Sequence, residues 1–218
     1  MRLFTFSTAL ALSILAAASV SAQVNDEKQE FAVTIGEMSG STPNVSGIPL
    51  TLGSGVGLEA NFARKFRTVK YGSLFWEVDA LGSPLRYLSV APNSHAVRSF
   101  FAAPGLKWQF SPGPAWSPWM AVGAGYAFYD ANSAASAVAV ATIGPVPPSG
   151  TVVTSTSLKT NTYAADFGGG VDYVVRPHFV IRGEARGYYT GGPKFGLGST
   201  SGELNFIIGG GIVWRFTK

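Results

Sequence analysis

Glu203-Leu204-Asn205-Phe206-Ile207-Ile208-Gly209-Gly210-Gly211-Ile212-Val213-Trp214-Arg215-Phe216 is the most regular stretch of the chain and sets how the rest reads. Taken at alternate positions, Leu204, Phe206, Ile208, Gly210, Ile212, Trp214 and Phe216 form one apolar face ending in aromatics. Glu203, Asn205, Ile207, Gly209, Gly211, Val213 and Arg215 form the other, a mixture of glycine and polar groups. A period of two marks a strand, and no helical i, i+3, i+4, i+7 spacing fits the same residues.

The alternation recurs upstream. Tyr163, Ala165, Phe167, Gly169, Val171, Tyr173 and Val175 oppose Ala164, Asp166, Gly168, Gly170, Asp172 and Val174. After Arg176-Pro177, Phe179, Ile181, Gly183, Ala185, Gly187 and Tyr189 oppose His178, Val180, Arg182, Glu184, Arg186 and Tyr188. Shorter alternating runs lie at 31–35, 56–62, 74–80, 106–110 and 120–128, which brings the expected total to eight strands. The 27 glycines interrupt the apolar residues, so the high hydropathy does not come from helices.

Composition narrows the class further. Of 218 residues, 46% are hydrophobic and only 13% charged, against about 25% charged in ordinary soluble domains. Such a chain is too apolar for disorder and long enough for one domain with a sizeable core. Absence of cysteine excludes disulfides, thiolate metal sites and thiol nucleophiles. The formal charge of +4 is small and scattered, so no nucleic-acid partner is expected. Residues 1–22 read as a secretory signal peptide: Arg2, then an apolar stretch, then the small-x-small site Val20-Ser21-Ala22. The mature domain is expected over 23–218.

The links between strands are expected to alternate in length. Long stretches at 38–54, 81–98, 130–160 and 191–202 alternate with short ones at 64–70, 111–116 and 176–177. That is the pattern of an up-and-down barrel with short periplasmic turns and long extracellular loops. No helix is present to cover the apolar faces, whereas a bilayer accepts them if closure pairs every backbone group. The fold class expected is therefore an all-β, eight-stranded antiparallel transmembrane barrel. Glycines on the inner faces would relieve crowding in its narrow lumen. Aromatics near the short turns form a candidate interfacial belt: Phe62, Phe66, Tyr71, Trp108, Phe110, Trp116, Trp119, Tyr173, Phe179, Trp214 and Phe216.

Three motifs carry a family resemblance. The runs Phe167-Gly168-Gly169-Gly170-Val171-Asp172-Tyr173, Arg176-Pro177-His178-Phe179 and Arg182-Gly183-Glu184-Ala185-Arg186 resemble the outer-membrane beta-barrel domain family. That family includes the small OmpA/OmpX-type barrels, and Gly209 to Phe216 is similar to its last strand. Its members usually end on the aromatic, whereas Thr217 and Lys218 follow Phe216 here. The resemblance implies an eight-stranded porin-like barrel without a cofactor, inserted by the barrel assembly machinery. The expected location is the outer membrane of a diderm (Gram-negative) bacterium, in contact with outer-membrane lipid and lipopolysaccharide.

Charge on the strands follows the same parity. Glu59, Glu77, Asp79, Lys107, Asp166, Asp172, Arg182, Glu184, Arg186 and Arg215 all have inward positions. Outward placement of Arg or Lys at the bilayer midplane would cost about 2–4 kcal/mol. A structural ion-pair network filling the lumen is the favoured reading, and a gated pore or a small polar-ligand site is the alternative. Glu184→Ala is accordingly expected to destabilise the barrel, read as a change in heat-modifiability on a gel. Catalysis is not expected. His95 falls in a long link and His178 at a short turn, at opposite ends, and no His/Asp/Glu cluster has metal-ligand spacing. The expected role is structural or interactive at the cell surface. The rivals are a small diffusion channel, a lipid-modifying barrel enzyme, and a soluble lipocalin-like carrier with its apolar face turned inward.

Overall fold

The computed structural model describes residues 28–41, 44–45, 48–49, 51–90, 93–110, 115–131, 158–191 and 202–216. The expected signal peptide over 1–22 lies outside the described residues. Eight long strands follow in chain order: β1 (Gln29–Gly40), β2 (Gly55–Val69), β3 (Gly72–Val90), β4 (Asn93–Phe110), β5 (Trp116–Ala131), β6 (Leu158–Arg176), β7 (Phe179–Thr190) and β8 (Glu203–Phe216). Each pairs antiparallel with its neighbours in sequence, and β1 also pairs with β8, with Phe31 opposite both Trp214 and Phe62. The sheet is therefore a closed barrel, and none of the eight keeps an open edge. The short strand Thr51–Leu52 adds to the far end of β3, and Asn44–Val45 pairs with Ile48–Pro49.

Alternation in the sequence becomes alternation between the two surfaces of the wall. On β8, Ile207 is 0% exposed and its neighbour Ile208 is 69% exposed. The same holds round the barrel, where Val33, Val78, Val122, Tyr163 and Ile181 all face outward. An apolar outside overturns the lipocalin-like alternative, which needs its apolar face inside. A bilayer accepts this surface because the closed ladder leaves no strand unpaired.

Two differences from the sequence reading have local causes. The stretch 81–98 is not a long link: β3 runs on to Val90 and β4 starts at Asn93, with Ser89 opposite Ser94. A register shift between Ser83 and Arg86 leaves Pro84 and Leu85 both exposed and turns Arg86 inward. This bulge reverses the parity of the strand a few residues beyond the alternating run 74–80. The other long intervals, 41–54, 132–157 and 191–202, do separate strands, and 70–71, 111–115 and 177–178 are the short links.

The ladder between β4 and β5 has a gap. Ala102 pairs with Tyr126 and Gly105 with Gly123, but Ala103 and Pro104 have no partners on β5. Proline has no N–H to give to the ladder, and this one sits within the wall of a barrel.

Candidate functional site: a charge-filled lumen

All ten charged residues assigned inward by parity are buried, none more than 7% exposed. They fall into two groups with different charge balance. Towards the short links, Arg182 of β7 donates from Nε to Asp172 Oδ1 at 2.8 Å and from Nη2 to Glu30 Oε1 at 3.0 Å. Lys107 of β4 also pairs with Glu30, and Arg215 of β8 reaches Asp172 at 2.9 Å. Three cations thus surround two carboxylates.

The middle of the lumen is reversed. Arg186 of β7 contacts Glu77 at 2.6 Å, Asp166 at 3.0 Å, Glu59 at 3.1 Å and Glu184 at 4.0 Å. Tyr188, two residues along, donates its hydroxyl to Asp79. Four buried carboxyl groups therefore contact one guanidinium, with Asp79 beside them in the same layer, and neither oxygen of Glu184 accepts a hydrogen bond. Among the described residues no three acidic or imidazole groups converge as metal ligands. Because β3 and β7 stand on opposite walls, the Arg186–Glu77 contact spans the lumen.

Trp119 joins the two groups, and its position corrects the expected belt. It is 3% exposed and lies inside, with Lys107, Arg182 and Arg186 at 4.7–5.0 Å from its ring centroid. Its Nε1 donates to Asp172 Oδ1 at 3.1 Å. Parity explains this, since the outward Met120 and Pro118 flank it. Nearness to a short link was the wrong guide. The other belt aromatics have outward positions, and most are in ring contact, with Trp116 at 4.6 Å from Tyr173 and Phe179 at 4.5 Å from Trp214. Phe110 is half-buried against Trp108 at 4.8 Å.

Glycine makes room for these large groups. A Cβ on Gly168 would lie 2.5 Å from Arg186 Cγ, and one on Gly170 would lie 2.9 Å from Trp119 Cζ2. Neighbouring backbone is closer still at Gly170, whose Cβ would lie 2.3 Å from the Gly183 carbonyl oxygen, so both lumen side chains and close strand approach favour glycine on β6.

Beyond the acidic layer, towards the long links, the filling turns apolar: Met38, Leu81, Phe101, Tyr188 and Ile207 form one buried cluster. Phe101 meets Tyr129 edge-on at 5.7 Å. Above it Arg86 donates to Asn205 Oδ1 at 2.6 Å, and Asn205 donates to Tyr129 Oη at 3.1 Å. The ten inward charges read from the sequence leave out three buried ones, Glu30, Arg86 and Glu203. Glu30 lies one residue before the run that marked the first strand, and Arg86 lies beyond the bulge.

Glu184 proves less central than the sequence implies, because its 4.0 Å approach to Arg186 is the longest of that group. Glu184→Gln removes one carboxylate from an excess of them, and a change within about 1 kcal/mol is expected in the urea midpoint of the gel shift. His178 places Nδ1 3.1 Å from the Arg215 carbonyl in the short 177–178 link. The backbone of His95 pairs with Leu88 at the other end of the barrel.

No protein-family model matches the chain, and no curated protein sequence does. Solved structures do. The Neisserial surface protein A, NspA, superposes with a TM-score of 0.53 at 10% identity, over 86% of this chain and 97% of that one. OprG of Pseudomonas aeruginosa gives 0.47 at 12% identity, over 88% and 98%. Ail of Yersinia pestis, solved with the heparin analogue sucrose octasulfate, gives 0.45 at 13% identity, over 86% and 99%. The fold of this chain is the one seen in small eight-stranded outer-membrane barrels.

Proposed function

We propose that this chain is an integral outer-membrane barrel with a closed lumen, acting without catalysis as a structural or surface-interacting protein through its long links. The observation that carries this reading is the filling of the lumen from wall to wall. Arg186 bridges β7 to β3, β2 and β6, Lys107 bridges β4 to β1, and the apolar cluster around Phe101 lies beyond them. Side chains fill the interior of small barrels in this way, whereas aqueous channels need many more strands. The outward apolar face and its aromatic rim support placement in a bilayer. The intervals 41–54, 132–157 and 191–202 all leave from the same end, which gives that end the material for surface contacts.

The diffusion channel is the second reading, and one experiment separates the two. Protein refolded in detergent, checked by its heat-modifiable gel shift, is added to planar bilayers. No conductance steps are expected above the lipid baseline, and reproducible steps overturn the closed lumen. A lipid-modifying activity would need a base beside a nucleophile, and His178 instead meets a backbone carbonyl. Release of fatty acid from lipopolysaccharide by the same sample overturns the non-catalytic reading.

A further inference from the structure

The short-link end of the barrel carries a patch that the lumen does not use. Lys28, Arg64, Arg67, Lys70 and Arg176 are exposed there, and among the described residues no exposed Asp or Glu stands at that end. Arg64 shares the outward parity of Phe62 and Phe66 and pairs across the ladder with Trp76, on which Phe66 stacks at 5.1 Å. Lys70 lies 5.0 Å over the ring of Tyr71. Past the register shift at Phe66, Arg67 is exposed and pairs with Leu74, so Arg64, Arg67 and Lys70 stand among the belt aromatics, at the depth where a bilayer places its phosphates.

Beside Trp76 the wall opens outward into a hollow of about 480 Å³. Trp76, Val78, Leu106 and Val122 form its sides, and Pro104 and Ala124 lie within it. Its cause is the interrupted ladder: Pro104 withholds a hydrogen bond there, and the facing residues of β5 are small. Trp76 is level with Leu106, and Val78 with Pro104, so the hollow starts at the belt and runs towards the middle of the barrel. Cations at the phosphate level and an apolar trough leading inward from them match the two ends of one lipid.

We propose that this face holds one anionic glycerophospholipid, its phosphate on Arg64, Arg67 and Lys70 and an acyl chain in the hollow beside Trp76 and Pro104. The assignment rests on the placement of the barrel in a membrane, and not on the lumen being closed. An acidic protein is the poorer fit, because the trough is apolar and lies in the plane of the bilayer. Basic residues beside a membrane attract anionic headgroups, and salt weakens that attraction.

Native mass spectrometry tests this on protein refolded into micelles containing equal amounts of phosphatidylglycerol and phosphatidylethanolamine. The wild type is expected to retain one phosphatidylglycerol in preference to phosphatidylethanolamine. The triple variant R64Q/R67Q/K70Q is expected to lose that preference by about tenfold or more. Ala124→Leu, apolar and outward-facing, fills the hollow and is expected to lower retention of both lipids. Equal phosphatidylglycerol retention by the triple variant overturns the headgroup site, and unchanged retention by Ala124→Leu overturns the acyl site. Inorganic phosphate at matched ionic strength is expected to displace no more lipid than chloride, and selective displacement would mark a free-anion site instead. Each variant is first checked for its gel shift, and Arg64→Gln alone replaces the triple variant if that one fails to refold. Bilayer conductance by the wild type would overturn the closed lumen and leave this lipid result standing.

Discussion

Arg186→Met is expected to destabilise the barrel by about 3–5 kcal/mol, or to prevent refolding outright. Methionine keeps much of the length of the arginine stem and its packing, so the change removes mainly the charge. What remains is Glu59, Glu77, Asp79, Asp166 and Glu184 in a buried layer where, among the described residues, no other cation makes an ion pair with them. Buried carboxylates without a partner are costly, and the cost of losing their shared cation exceeds what the pairs themselves contribute. The measurement is the urea midpoint of the heat-modifiable band. Adding Glu59→Gln and Glu77→Gln to the methionine variant is expected to restore part of the loss. A midpoint unchanged in Arg186→Met would show that the carboxyl groups are balanced by something other than this guanidinium.

Trp119→Ala is the second large effect expected, again about 3–5 kcal/mol, because it empties an aromatic volume from a filled interior. Three cations lose the ring beside which they stand, and Asp172 loses a donor. Trp119→Phe keeps a ring and loses only the Nε1 donor, at an expected cost of about 1 kcal/mol. Inward placement has its own readout. Brominated acyl chains quench tryptophans that touch lipid, so Trp119→Phe should leave the quenched fraction unchanged, whereas Trp214→Phe should lower it. Loss of quenching in Trp119→Phe would place this side chain on the outside.

The strands were legible because parity is written along the chain: Ile207 against Ile208 and Arg182 against Ile181 need nothing more than counting by two. Parity also placed ten charged residues inside. It failed where the period itself slips, at Pro84-Leu85, and with it the inward turn of Arg86 was lost. For Trp119 the rule of two gives the inward position, whereas nearness to a short link points the other way. Glu30 was missed for want of one residue at the start of β1. Who meets whom across the lumen was not legible. Arg186 reaches β2, β3 and β6 because closure brings distant strands face to face, and the stagger of a closed sheet is not a property of any one strand. The hollow beside Pro104 was likewise invisible, since it depends on which residue of β5 faces a missing N–H.

The two charged layers of the lumen act in series. Five carboxyl groups with one guanidinium occupy the middle, and three cations with two carboxylates occupy the level next to the short links. A positive ion moving along the axis would be drawn to the first layer and repelled by the second. A negative ion would meet the same two layers with the signs exchanged. The axis thus carries a built-in electric dipole with its positive pole towards the short links. Enlarging the bore by trimming the apolar cluster would not by itself make a good conductor, because every ion would still have one layer to climb.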